Sequence, residues 1–114
     1  MKISDIIKYT NARVVAGASC QDKELERAFS SDLMSDVLTL DDDNILLVSG
    51  LANIQLVRTA EMADVSVVLL ARNKKATSEM INLAEENGLV LLETSYSIFR
   101  TSGILFSNGL KPVY

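Results

Sequence analysis

Short hydroxyl, amide and acidic side chains recur in this chain wherever an apolar run gives way to a polar one. Ser31 and Asp32, Ser49 and Gly50 with Asn53 close behind, and Thr94 and Ser95 all stand at such points, and Arg72 follows the run that ends at Ala71. Side chains of this kind accept hydrogen bonds from the free N–H groups of a helix's first turn, and those N–H groups also attract anions. One helix end is worth only about 0.3–1 kcal/mol to a charge, so several must converge to hold a ligand. Arg72 would add a full positive charge beside them. Such a constellation suits holding a phosphate or nucleotide. Helix capping, at about 1 kcal/mol per residue, uses the same residue types on its own account, so both readings stand at this point. Asp32 and Asp36 lie four apart, with Ser35 between them, and would share a helix face. A cap is the better use of Asp32 than a metal, and no metal site is expected.

Several chemistries are excluded by what the chain lacks. It has no histidine, so Ser-His and Cys-His nucleophilic pairs are impossible and the commonest metal ligand is missing. The single cysteine, Cys20, has no partner for an internal disulfide and no histidine to activate it. A net charge of -4, with Arg72, Lys74 and Lys75 as the one basic cluster, argues against nucleic-acid binding, which depends on neutralised phosphates. Asp41-Asp42-Asp43 lacks the alternating spacing and central glycine of a calcium loop and reads as a solvated turn. With no catalytic constellation in view, no cofactor is implied and a non-enzymatic role is expected.

The elements that must position these residues follow from patterning. The 114 residues suffice for one domain, 1–114, and 48% hydrophobic residues suffice for a core. No apolar run reaches the ~20 residues of a membrane span, and Met1-Lys2-Ile3-Ser4-Asp5 does not resemble a signal peptide, so a cytoplasmic protein is expected. Ile3, Ile6 and Ile7 predict a helix to about Thr10 with Ser4 as N-cap. Arg13 to Ala16 and Arg27 to Ser30 read as strands, the second followed by a helix capped by Asp32 and carrying Leu33, Val37 and Leu40. Ile45 to Val48, Val65 to Leu70 and Leu89 to Leu92 are continuous apolar runs, as doubly buried strands require. Between them Asn53 caps a helix with Leu56, Val57, Ala60 and Ala63 inward, and Thr77 caps one with Met80, Ile81 and Ala84 inward, ending at Gly88. Ser95 is expected to cap the last helix, with Ile98, Phe99, Ser102 and Phe106 inward. The fold class is therefore α/β, a layered sandwich with a mainly parallel sheet of about five strands flanked by helices. Ligands of such sheets sit beyond the carboxyl ends of the strands.

The block Ser31-Asp32-Leu33-Met34-Ser35-Asp36-Val37-Leu38 resembles the Ser-Asp-Leu-Leu-Ser-Asp-Val stretch that follows the second strand in stand-alone DRTGG-domain proteins. The later strands and helices, to Gly109-Leu110, fall in the same order and spacing. That family is similar to the N-terminal domain of HPr kinase/phosphorylase and occurs as an accessory module in phosphotransacetylases and CBS-domain pyrophosphatases. The resemblance implies an α/β sandwich and a regulatory or assembly role. It implies no kinase activity, since the chain has no Gly-x-x-x-x-Gly-Lys-Ser/Thr loop. After the fourth strand, where the family commonly has a glycine turn, this chain has Ala71-Arg72-Asn73.

The leading expectation is thus a regulatory or assembly module that binds a nucleotide or other phosphorylated small ligand. The candidate contacts are Ser31, Asp32, Ser35, Asp36, Ser49, Gly50, Asn53, Arg72, Thr94 and Ser95. The alternative is a small enzyme acting on a phosphorylated metabolite. An apolar surplus at Met34, Met62, Ile104, Leu105, Leu110, Val113 and Tyr114 predicts a homodimer, with another protein partner as a second use of the same surface.

Overall fold

The computed structural model describes the chain from Met1 to Tyr114. Its centre is four strands in parallel register, β2 (Arg27–Ser30), β3 (Ile45–Ser49), β4 (Val67–Leu70) and β5 (Val90–Glu93). Every residue of β3, β4 and β5 is buried, which explains why these strands read as unbroken apolar runs. β1 (Arg13–Ala16) pairs antiparallel with β5 on one edge, and β6 (Lys111–Pro112) pairs parallel with β2 on the other. The sheet therefore has six strands in the order β1-β5-β4-β3-β2-β6, one more than the patterning predicted. A two-residue strand containing Pro112 carries no periodicity to read. Its proline is tolerated because an edge strand has a side on which no N–H is needed.

Alternate residues of the strands feed two separate cores. Leu47, Val68, Leu70 and Leu91 pack with Val37, Leu56, Val57, Ala60, Met80 and Ala84, from α2 (Met34–Val37), α3 (Ile54–Met62) and α4 (Ser78–Glu86). Leu46, Val48, Val67, Leu69, Val90 and Leu92 pack on the other face with Ile3, Ile6 and Leu105, from α1 (Ile3–Thr10) and α5 (Ile98–Ser107). The handedness of crossovers explains this division. From β2 to β5 each connection moves one strand along in the same direction, so right-handed crossovers place α2, α3 and α4 on one face. The connection from β5 to β6 runs back across the sheet. A right-handed return must use the opposite face, where α5 lies.

Three local expectations are corrected. The N-cap of α1 is Lys2, not Ser4, and its N–H is taken by the Asp5 carboxylate at 3.2 Å. The last helix is capped by Ser97, not Ser95: Ser97 Oγ accepts the Arg100 N–H at 3.1 Å. With that start, Thr101 and Leu105 face the core, whereas Phe99 and Phe106 are 88% and 67% exposed. Asn53 and Thr77 do cap α3 and α4, accepting the N–H groups of Leu56 and Met80. No helix is long and apolar enough to cross a membrane.

Glu93, at the end of β5, is a fold determinant that patterning hid. It is 3% exposed and accepts two hydrogen bonds from Arg13 of β1, at 2.9 and 3.0 Å, and one from the Ala76 N–H at 2.6 Å. One carboxylate thus ties the antiparallel edge strand and the loop before α4 to the centre of the sheet. Removing an acceptor that serves buried or half-buried donors costs about 1–3 kcal/mol per group left unsatisfied, whereas an exposed ion pair is worth about 0–1 kcal/mol. Glu93→Ala is therefore expected to lose at least about 2 kcal/mol in urea denaturation. Glu24→Ala, which removes the partner of the Met1 amino group from a 64% exposed side chain, is expected to lose under about 1 kcal/mol.

Candidate functional site

A loop leaves the carboxyl end of each parallel strand. Those after β2, β3 and β4 turn to the face of α2, α3 and α4, and the one after β5 turns to the face of α5. Neighbouring loops turn to opposite faces only between β4 and β5, which makes that point the topological switch at which ligands of open parallel sheets bind. The residues flanking it are Ala71-Arg72-Asn73 and Thr94-Ser95-Tyr96.

Arg72 and Asn73 both adopt left-handed backbone, with φ of 61° and 59°, and the Lys74 N–H closes the turn on the Ala71 carbonyl at 3.3 Å. Two consecutive left-handed residues make the tight turn that glycine or asparagine normally supplies, and an arginine there is strained by about 1–2 kcal/mol. Long-range bonds hold it: the Arg72 N–H donates to the Tyr96 carbonyl at 2.8 Å and the Asn73 N–H to the Thr94 carbonyl at 3.1 Å. Ala71-Arg72-Asn73 thus builds the turn without glycine, and it presents a cation there. Tyr96 in turn carries the Arg100 guanidinium 3.7 Å from its ring centre. Neither Arg72 nor Arg100 has a carboxylate within 4.0 Å.

On the β3 side of Arg72, Gly50 is held at both ends. Its N–H donates to Asp32 Oδ1 at 2.7 Å, and its carbonyl accepts from the Arg72 guanidinium at 3.1 Å. Ser49 Oγ donates to the same Asp32 oxygen at 2.9 Å and accepts the Leu51 N–H at 3.2 Å. Asp32 is therefore no helix cap. The N-cap position of α2 falls on Leu33, and the Asp32 carboxylate instead bridges the loops after β2 and β3. A methyl group at Gly50 would overlap the Arg72 guanidinium, so glycine is needed there for room.

The ten candidate residues thus divide. Asp32, Ser49, Gly50 and Arg72 come together directly. Thr94 is 3% exposed and satisfied, donating to the Thr10 carbonyl at 2.6 Å and accepting the Tyr96 N–H at 3.2 Å, and Ser95 lies exposed between the two. Asn53 is taken up by its cap, and Ser31 Oγ by the Leu33 N–H at 3.0 Å. Ser35 and Asp36 are exposed on the one-turn helix α2, away from the Asp32–Gly50 bridge. Tyr96 and Arg100 were not anticipated, whereas Asn73 stands at a strand end as its position beside Arg72 suggests. The Asn73 side chain and the paired hydroxyls of Ser95 and Ser97 are the only local hints of their loops.

The surface concavities of the protein lie elsewhere. One of about 170 Å³ separates α5 from β2 and β6, lined by Ser30, Ser102, Leu105, Phe106 and Pro112 among others. Another, of about 410 Å³, is ringed by Asp41, Asp42, Asp43 and Asp64 with Leu38 and Met62. In the acidic turn, the hydrogen bond from the Asn44 N–H, with help from Arg27, holds Asp42 below the ordinary carboxylate range. That turn is exposed, as expected of a solvated connection.

No family model matches the chain, and comparison with curated proteins returns no match. Among solved structures, it is similar to the crystal structure of the CBS and DRTGG domains of the regulatory region of Clostridium perfringens pyrophosphatase complexed with the activator diadenosine tetraphosphate. The TM-score is 0.75 at 14% identity, covering 98% of this chain and 48% of that one. The chain thus spans about half the length of that neighbour, and the two share a layered α/β fold.

The Gly50–Arg72 packing makes a prediction that separates site from fold. Gly50→Ala must expel the guanidinium, but the displaced group is the far end of an exposed, flexible side chain. Stability by chemical denaturation is expected to change by less than about 1 kcal/mol. The Arg72 side-chain resonances in an NMR spectrum should shift to those of a free arginine.

Proposed function

We propose that the chain is a non-enzymatic regulatory or assembly module, a DRTGG-like domain over residues 1–114, which binds a nucleotide or other phosphorylated ligand at the carboxyl edge of its parallel strands. The observation that carries this reading is the switch point between β4 and β5, where the backbone of Arg72 is held by the Thr94–Tyr96 loop while its guanidinium has no carboxylate partner. The Ser31 to Leu38 block supports the DRTGG-like assignment and, through it, a likeness to the N-terminal domain of HPr kinase/phosphorylase. The neighbouring structure is a regulatory region complexed with a nucleotide activator, which supports a regulatory role for a fold of this kind. A cytoplasmic setting belongs to the same reading.

A thermal-shift screen with nucleotides and sugar phosphates tests it. A ligand at ~100 times its dissociation constant should stabilise the protein by about 2.7 kcal/mol, and a flat screen would remove the ligand-binding reading. Arg72→Ala should weaken binding of any hit while changing stability by no more than about 1 kcal/mol, since alanine keeps the left-handed strain and only one half-exposed hydrogen bond is lost. Phosphoryl transfer from ATP by the purified chain would favour an enzyme instead.

We further propose that the chain pairs with a second copy through the edge that carries β6 and α5. Phe106, 67% exposed, lines the groove there, and Tyr114, 90% exposed, packs on Phe29 at the other face of the same edge, with ring centres 6.0 Å apart. Of the surplus residues, Leu105 and Leu110 belong to the core instead, at 1% and 3% exposure. Light scattering at tens of micromolar is expected to give twice the 12.5 kDa chain mass, and Phe106→Asp to return it to one. A monomer under those conditions would end the dimer proposal.

A further inference from the structure

We infer that the ligand of this edge is a phosphorylated sugar, free or as part of a nucleotide, recognised by its hydroxyls at Asp32 and by its phosphate at Arg72. This rests on the reading that the ligand lies at the strand carboxyl ends. The donors that would ordinarily meet a phosphate there, the Gly50 N–H and the Ser49 hydroxyl, are both already bonded to the Asp32 carboxylate. A bare phosphate approaching them meets a negative charge instead. That carboxylate is only half used, because both bonds go to Oδ1. Oδ2 accepts none, Asp32 is exposed, and no cation lies within 4.0 Å of it. An ionised carboxylate accepts hydrogen bonds and donates none, so a ligand group that replaces water at Oδ2 must bring donors.

Arg72 shows the complementary state. One terminal nitrogen donates to the Gly50 carbonyl, and the rest of the guanidinium fork is free for a phosphate. Because Asp32 grips the N–H of Gly50 and Arg72 its carbonyl, acceptor and donor are spaced across a single residue. A ligand spanning them must carry hydroxyls and a phosphate a few bonds apart. Inorganic phosphate lacks the first and a plain sugar the second.

Isothermal titration of the full chain with ribose 5-phosphate, AMP, inorganic phosphate and ribose tests the inference. Ribose 5-phosphate is expected to bind at least about tenfold more tightly than phosphate or ribose. AMP binding at least as tightly marks a nucleotide site and AMP excluded marks a free sugar phosphate, either of which sustains the inference. Asp32→Asn keeps one oxygen for Ser49 and Gly50 but puts an amide where Oδ2 was. It should lose most of the preference for ribose 5-phosphate and leave phosphate binding unchanged or stronger. Should that variant fail to fold, amide NMR shifts of the unmodified chain on adding ribose 5-phosphate must centre on Gly50 and Arg72. Equal binding of phosphate and ribose 5-phosphate would overturn hydroxyl recognition and leave the edge as an anion site. Binding of neither would overturn both readings.

Discussion

Parallel strands whose side chains are all buried must be covered on both faces, and that constraint orders everything else in this protein. Three successive right-handed crossovers can cover only one face. The other is covered because the chain, having reached β5, returns across the sheet to β6 through α5, with α1 beside it. The reversal is thus a packing requirement before it is anything functional. Its by-product is that the loops after β4 and β5 turn to opposite faces, a switch bridged by the Arg72–Tyr96 and Asn73–Thr94 backbone hydrogen bonds. The candidate site sits there because the sheet had to be closed on its second face.

Both carboxylates at this edge stabilise the loops, and they differ in how completely they are used. Glu93 is sealed, with Arg13 on one oxygen and the Ala76 N–H on the other, and it serves the fold. Asp32 is shared between the loops after β2 and β3 through one oxygen only. Glu93 is buried and needs protein donors on both oxygens, whereas Asp32 is exposed and its second oxygen stays open to solvent or a ligand. The left-handed backbone at Arg72 is held by bonds from the Thr94–Tyr96 loop, although a glycine would avoid the strain. The turn keeps its shape at a conformational cost and gains a guanidinium over Gly50.

How much of this was legible in the sequence follows from the range of the interactions concerned. β3, β4 and β5 were readable because double burial writes an unbroken apolar run, and α3 and α4 because Asn53 and Thr77 cap within three residues. The phase of α5 was misread: Ser95 and Ser97 are equally good caps by type, and two phenylalanines suggested a core face that Thr101 and Leu105 in fact supply. Asp32 looked like a cap because capping is the local use of such a residue. Its real partners lie 17 and 18 residues away across a parallel pairing that no local pattern encodes. Glu93 was invisible for the same reason, since its partner Arg13 is 80 residues distant. The four residues that do converge, Asp32, Ser49, Gly50 and Arg72, were nameable from strand-end logic alone, but not the contacts among them.

Those contacts alter the electrostatic argument from which the site was first inferred. Helix N-termini converging on one edge favour an anion by about 0.3–1 kcal/mol each, but the effect fades beyond the first turn. α2 is only four residues long, and α3 and α4 direct their first-turn N–H groups to Asn53 and Thr77. What remains is a discrete arrangement: a guanidinium fixed over Gly50, a second on the ring of Tyr96, and a half-satisfied carboxylate beside the first. The carboxylate offsets part of the positive charge at long range, so the edge depends little on a diffuse field. Its charges act at contact, where direction and hydrogen-bond type matter more than net charge. Under the proposed reading, an edge of that kind would select by the pattern of donors and acceptors a ligand brings, which is the property a regulatory site requires if it is to ignore the many simple anions around it.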